Sequence, residues 1–362
     1  MRLARVTTLL VLWLLIALAL IWCVGFFVLQ GGPHTYAEVK PEFAERAEQY
    51  LDASLVELPA DWQRKGLFIS ETVELETGFL DSDMDEPKGV VVMVPGYTAP
   101  LEMLAPGIRH FHDAGFHVAA ISPRGQGRSY RPLDDPEKAW LENYEVWADD
   151  FEGFIGEVEE RYQLPIFVYG ISMGVHIALR NEALNETVVE AYALTVPMIK
   201  IKTDPFPYRV ATGISAFYAM TGLDDIYAPG RGKWKPGQVK WDEPTACNAN
   251  AQTAWTRDAL FALEPDLRAH APSVKWVQQT ARSTAYLQSD EAHERITKPI
   301  LMHNVGRDEI VSAPAASELC TKLSGCTEVF LPGAGHCVER EDKAVADAIL
   351  LRASDFFAEQ LQ

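Results

Sequence analysis

The sequence predicts an α/β fold: a mostly parallel sheet covered by helices on both faces, with a helical lid insertion and an N-terminal transmembrane helix. Three observations predict it. Short continuous apolar runs, such as Gly89-Val90-Val91-Val92-Met93-Val94 and Ile166-Phe167-Val168-Tyr169, alternate with amphipathic stretches, the pattern of parallel strands buried on both faces. A Gly-x-Ser-x-Gly turn, Gly170 to Gly174, joins one such run to a helix-like stretch. Near the start, Leu9 to Leu29 is unbroken apolar sequence. With 362 residues, 48% hydrophobic and 23% charged, the chain can bury a full core and is not a disordered or disulfide-dense chain. Its formal charge of −19 excludes a nucleic-acid binder that works through a cationic surface.

The apolar run, as a helix rising ~1.5 Å per residue, spans about 30 Å, one bilayer core. Arg2 and Arg5 precede it and no basic residue follows until Lys40. The positive-inside bias therefore predicts a single-pass protein of the cytoplasmic membrane, with the domain that follows on the outer, extracytoplasmic side. A cleavable signal peptide, with Ala17-Leu18-Ala19 as the cleavage site, is the competing reading. Gly31-Gly32-Pro33 should end the helix. The predicted organisation is an anchor over 1–31, a stalk over 32–64, the first part of the core over 65–196, the lid over 197–298 and the second part of the core over 299–362.

Within the stalk, Glu38 to Leu55 reads as a helix packing onto the domain. Phe68 to Glu76 reads as one outer strand. Gly89 to Val94, His117 to Ile121, Ile166 to Tyr169, Ala191 to Val196, Pro299 to Val305 and Thr327 to Leu331 read as strands. Ile108 to Ala114, the stripe Trp147, Phe151, Phe154, Ile155, Val158 and Tyr162, the stretch Gly174 to Leu184, and Val345 to Phe357 read as helices. Pro197 to about Lys298 breaks this rhythm. It is rich in Trp, Tyr, Pro and Gly, with helical pieces at Val210 to Met220, Gln252 to Leu263 and Val274 to Leu287.

Four cysteines follow the apolar run: Cys247, Cys320, Cys326 and Cys337. In an oxidising compartment they allow three connectivities. Cys320 and Cys326 are the favoured pair, because they flank a helix-to-strand turn; four free thiols are the alternative. No His or Cys cluster has zinc spacing, and no metal or cofactor is expected.

The strand–turn–helix setting of Ser172 is what an exposed nucleophilic hydroxyl needs. A serine is weak until a base takes its proton. His336, in the loop after Thr327 to Leu331, is the candidate base, and Asp308, after Pro299 to Val305, is the candidate orienting acid. All three then sit at the carboxyl ends of parallel strands, where ligands bind. Glu309 is the rival acid; a small helix beginning at Val311 favours Asp308. The oxyanion needs two donors: the backbone N–H of Met173 and that of Tyr97, in the turn Pro95-Gly96-Tyr97-Thr98.

These residues resemble the α/β-hydrolase superfamily, and within it bacterial lysophospholipases and monoacylglycerol lipases of the serine aminopeptidase-like group. The resemblance rests on Val94-Pro95-Gly96-Tyr97, Ile171-Ser172-Met173-Gly174, Gly306-Arg307-Asp308 and Gly333-Ala334-Gly335-His336. Pro123-Arg124-Gly125-Gln126-Gly127-Arg128-Ser129 is similar to the loop after the fourth sheet strand, Gln126 being the lysophospholipase-like choice. Val196 to Ile199, Pro205-Phe206-Pro207 and Tyr227 to Gly230 with Trp234 look like the lid of the same subgroup. Pro95, Ser122, Ile171 and Cys337 depart from the pattern. The resemblance implies an α/β-hydrolase fold and a serine hydrolase of a single-chain lipid ester, a lysophospholipid or monoacylglycerol, acting without cofactor. Transacylase, general carboxylesterase or aminopeptidase-like chemistry, or an inactive lipid-binding protein, are the alternatives.

Overall fold

The computed structural model describes residues 2–29 and 35–362; the expected stop at Gly31-Gly32-Pro33 lies outside them. Helix α1 (Arg2–Val28) contains a stretch, Leu10–Val28, long and apolar enough to cross a membrane by length and composition. The stalk residues form two short helices rather than one, α2 (Pro41–Tyr50) and α3 (Ala53–Val56). Asp52 separates them, its carboxylate accepting the Ser54 N–H as the cap of α3. Phe43, Tyr50 and Leu51 pack around Trp234 and Trp241, so this segment is fastened to the chain between the later strands.

The outer strand expected at Phe68 to Glu76 is instead an antiparallel hairpin, β1 (Gln63–Ser70) and β2 (Val73–Leu80), turning at Glu71-Thr72. β1 is an edge strand exposed along nearly its whole length, so it carries no apolar alternation. β2 buries Glu76 and Thr77, and these polar residues mask its pattern. Glu76 is paired there with Arg64 and accepts the Arg128 N–H at 2.9 Å.

Strand β3 (Val90–Val94) is fully buried. Helix α4 (Ala105–Asp113) and β4 (His117–Ile121) follow. A two-residue strand β5 (Lys138–Ala139) precedes α5 (Tyr144–Tyr162), which Asn143 caps through the Val146 N–H. Next come β6 (Ile166–Ile171), α6 (Met173–Leu184) and β7 (Val189–Thr195). The segment after β7 carries α7 (Tyr208–Met220), α8 (Thr256–Leu263), the short strand β8 (Ala271–Pro272) paired with β5, α9 (Val274–Leu287) and α10 (Asp290–Arg295). The chain ends with β9 (Ile300–Arg307), α11 (Ala313–Lys322), β10 (Cys326–Gly335), α12 (Val338–Glu341) and α13 (Lys343–Glu359).

The main sheet runs β1-β2-β4-β3-β6-β7-β9-β10, antiparallel at β1-β2 and β2-β4 and parallel beyond. Because successive side chains point to opposite faces, β3 divides its residues. Val90, Val92 and Val94 join the core under α5 and α6, while Val91 and Met93 join the core under α4 and α13, centred on Phe111 and Phe357. The sheet is therefore covered on both faces, and the loops at its strand ends are held by a packed interior.

Candidate active site

Ser172 stands between β6 and α6 with φ +50° and ψ −107°, a strained conformation for a residue with a side chain. The turn closes only with glycine nearby: a Cβ on Gly174 would overlap the Val94 carbonyl, and one on Gly96 would lie 3.2 Å from the Ser172 Cβ. The Ser172 N–H donates to Thr195 O at 2.9 Å, and its carbonyl accepts the Met198 N–H at 3.1 Å. The backbone is thus pinned by β7 and by the chain leaving it.

His336 lies in the loop after β10. Its Nε2 is 2.9 Å from Ser172 Oγ and its Nδ1 is 2.6 Å from Asp308 Oδ2. Asp308 follows β9 and also accepts the Ile310 and Val311 N–H groups, each at 2.8 Å. Burial works against the Asp308 carboxylate, but the His336 bond and the two backbone donors outweigh it and hold the carboxyl below its usual range. The sequence-predicted Ser172, Asp308 and His336 are therefore brought into one hydrogen-bonded chain. Glu309 is exposed and outside it. The small helix expected from Val311 is not formed. Val311 makes an isolated bridge to Ile201, and α11 begins two residues later behind the Ser312 cap.

Met173 opens α6, where helix geometry leaves the first N–H groups without intrahelical acceptors. Tyr97 lines the same cavity as Ser172 and His336. Its ring packs on Trp276 with centroids 4.8 Å apart, and burial raises its hydroxyl above the ordinary tyrosine value. Gln126 brackets it: Nε2 donates to Gly96 O at 3.1 Å and Oε1 accepts the Thr98 N–H at 3.0 Å. Thr98 has φ +62°, so the Gln126 amide holds a backbone that would otherwise relax. The sequence marks Gln126 through resemblance alone, and nothing local to it points to this bracket.

Cys320 and Cys326 are bonded, as are Cys247 and Cys337. The second bond links the residue after His336 to the segment between β7 and β9. The two cysteines are also joined through their backbones, Cys337 N–H to Cys247 O at 2.8 Å. Nothing in the sequence singles out this pair, which lies 90 residues apart. His110 and His112 make separate contacts, to Ser354 Oγ at 3.1 Å and to Asp83 at 3.6 Å.

The cavity at these strand ends has a volume of about 410 Å³, within the range of small-molecule sites. One wall is apolar, with Met103, Leu104, Ile171 and Val196; the other comes largely from residues 231–258. A hydroxyl hydrogen-bonded to an imidazole that is itself oriented by a carboxylate can attack an acyl carbonyl.

This sheet, with a serine on the strained turn after β6 and the order Ser, Asp, His along the chain, defines an α/β hydrolase. More narrowly, the chain belongs to the family described as serine aminopeptidase, S33, which it matches over residues 85–343. It is similar to lysophospholipase L2 of Escherichia coli K12, 25% identical over 279 residues, covering 74% of this chain and 80% of that one. Among solved structures it resembles a soluble variant of the Saccharomyces cerevisiae monoglyceride lipase bound to a substrate analogue, with a TM-score of 0.65 and 14% identity over 86% of this chain and 97% of that one. It also resembles the monoacylglycerol lipase of Paleococcus ferrophilus, with a TM-score of 0.60 and 17% identity over 79% and 99% of the two chains. At these identities the two structures speak to the fold alone.

Proposed function

We propose that the protein is a serine hydrolase that cleaves the acyl ester of a single-chain lipid, a lysophospholipid or monoacylglycerol. The hydrogen-bonded chain Ser172–His336–Asp308 inside a mostly apolar cavity carries this reading. Ser172 Oγ attacks the acyl carbonyl while His336 Nε2 takes its proton. Asp308 keeps the imidazole in the required tautomer and stabilises its cationic form. The Met173 and Tyr97 N–H groups receive the oxyanion. His336 then protonates the departing glycerol oxygen. Water, deprotonated in turn by His336, attacks the acyl-enzyme, releases the fatty acid and restores Ser172. The name of the lysophospholipase relative supports a lipid ester as substrate. An aminopeptidase reading is disfavoured by the three arginines in the cavity, which repel the cationic amine of a peptide N-terminus.

The same proposal places the enzyme at the cytoplasmic membrane, anchored by α1, with the segment 197–298 as its lid and the catalytic domain outside. The Leu10–Val28 stretch and the two disulfides support this, since disulfides persist in oxidising compartments. The test is fluorophosphonate labelling with peptide mapping, together with a lipid panel read as free fatty acid. Label on Ser172, fatty acid from single-chain lipids, and loss of both in a folded Ser172→Ala variant are expected, the loss in kcat being on the order of a million-fold. Fatty-acid release at the wild-type rate from Ser172→Ala would falsify the assignment.

A further inference from the structure

In a chain carrying a net charge of −19, the active-site cavity runs against the background: Arg231, Arg257 and Arg340 all line it. They arrive from three places. Arg231 follows the turn after Tyr227, Arg257 projects from the first turn of α8, and Arg340 sits on α12, four residues beyond His336.

Their partners neutralise only part of that charge, Asp258 pairing with Arg257. Arg257 donates from Nη1 to Thr98 Oγ1 at 2.9 Å and from Nη2 to Asp258 Oδ2 at 3.3 Å, while its Nε is buried without a partner. Arg340 Nη2 faces a sulfur, Cys337 Sγ, at 2.8 Å. Among the described residues, neither Arg231 nor Arg340 has a carboxylate within salt-bridge distance. The two cavity carboxylates have other obligations. Asp258 also accepts the Trp234 Nε1–H at 2.9 Å, and Glu339 accepts the Tyr169 hydroxyl at 2.6 Å. Burial raises the Glu339 carboxyl above its usual range. Burial, and then the nearby charge of Arg257, bring Arg340 down to about 10. Arg257 and Arg340 thus set like charges on the lining of one cavity, and an anion bound there offsets their repulsion.

We propose that Arg257 and Arg340, with Arg231, form an anion subsite that binds the phosphate of the leaving glycerol moiety, so that the site selects lysophospholipids over monoacylglycerols. Planar guanidinium forks match phosphate oxygens in geometry as well as charge. The acyl carbonyl must lie against Ser172. An anion held by the arginines instead of by Ser172 is then the part of the substrate beyond the ester oxygen. The proposal rests on the ester-hydrolase reading of the same cavity, and its test is arranged so that the two can fail separately.

The first arm is binding, which needs no turnover. Calorimetry of the full chain in neutral detergent should show sn-glycero-3-phosphate binding. Arg257→Gln and Arg340→Gln should each weaken it at least tenfold, and Arg257→Lys should recover part of the loss. Salt should weaken it further. The second arm is kinetic: kcat/KM for 1-palmitoyl-lysophosphatidylethanolamine and for 1-monopalmitoylglycerol in the same neutral micelles. Each Gln variant should lower the ratio of the two at least tenfold, mainly through KM for the phosphate-bearing lipid. Melting temperatures identify variants that fail to fold; Arg257→Lys then carries the comparison. An unchanged ratio, or glycerophosphate binding indifferent to both arginines, overturns the subsite. Arginine-dependent binding of hexanoate without glycerophosphate binding also overturns it, since the cluster would then hold the product carboxylate. A wild-type protein that binds glycerophosphate but hydrolyses no ester refutes the hydrolase reading and leaves the subsite standing.

Discussion

Ser172, Asp308 and His336 hang from the ends of β6, β9 and β10, whereas Arg231 and Arg257 come from the segment between β7 and β9. The first group is held by backbone. Ser172 sits on a strained turn bonded to Thr195 and Met198, and Asp308 is gripped by two N–H groups of its own loop. The second group is held largely by side chains, beside the β5–β8 pairing and the Cys337–Cys247 backbone bond. The aromatic cluster around Trp234 and Trp241 packs against α2, Trp234 reaches Asp258 through its indole N–H, and a disulfide joins Cys247 to Cys337. Backbone anchoring fixes a reactive geometry within tenths of an ångström. Side-chain anchoring instead ties the segment between β7 and β9 to particular residues, Trp234, Asp258 and Cys247 among them, so its position depends on their identity.

The sharpest break in this comparison is on the sheet side. Asp308→Asn removes the anion that orients His336, and turnover should fall by about 10⁴, while Glu309→Gln stays near wild type. A reversal of the two, measured on one soluble ester, would make Glu309 the acid. On the covering side, Trp234 is fully buried, with the Arg268 guanidinium 4.3 Å from its ring and Phe43 against its edge. Trp234→Ala should cost about 3–5 kcal/mol of stability, read from urea midpoints. A loss under about 1 kcal/mol would mean that the aromatic cluster does not hold the segment.

A third prediction concerns histidines that take no part in the proposed chemistry. Burial lowers His176 to about 3 and His303 to about 4. His176 ties α6 to the covering segment, Nδ1 to Met198 O at 2.8 Å and Nε2 to Ser283 Oγ at 2.6 Å. Below about pH 6.5 the unfolded chain binds protons at these residues that the folded chain refuses, so their contribution is complete above that pH. It is lost as pH falls toward 3 to 4. Each should remove about 1.4 kcal/mol per pH unit through that window, and His176→Gln should flatten the slope of melting temperature against pH. A slope unaltered in that variant would show that the imidazole is not held neutral. The smallest expected effect is at Gln126. Gln126→Leu frees both sides of the Tyr97 turn, and kcat should fall about tenfold with KM little changed, because an oxyanion donor acts on the transition state. Equal losses in kcat and affinity would indicate a merely structural role.

What the sequence disclosed follows the same division. β3 was legible because five consecutive buried residues leave no other reading. Ser172, Asp308 and His336 were legible because each lies at or just beyond the carboxyl end of a strand, β6, β9 and β10, so local order predicts spatial meeting. β1 was not, since an exposed edge strand has no apolar period, and β2 was hidden by buried Glu76 and Thr77. The helix expected from Gln252 begins instead at Thr256. Asn248 and Asn250 accept the N–H groups of Asn250 and Gln252 at 2.8 and 3.1 Å, turns that compete with the helix. The pairing of Cys247 with Cys337 spans 90 residues, and the clustering of Arg231, Arg257 and Arg340 depends on tertiary contacts that no spacing records.

The end of α1 does not simply stop near the domain. The Tyr218 hydroxyl donates to the Ile21 carbonyl at 2.6 Å, the Tyr218 ring lies against Gly25 where a Cβ would collide with it, and the Tyr227 N–H donates to Leu29 O at 3.0 Å. Residues 21 and 25 lie on one face of α1, and Leu29 follows directly after its last residue. Three fastenings together remove the swivel that a loose tether would give. In the proposed anchored state, the tilt and roll of the helix in the bilayer then dictate the bearing of the cavity mouth, and the whole enzyme turns about the membrane normal as one body, like a mast with its sail made fast.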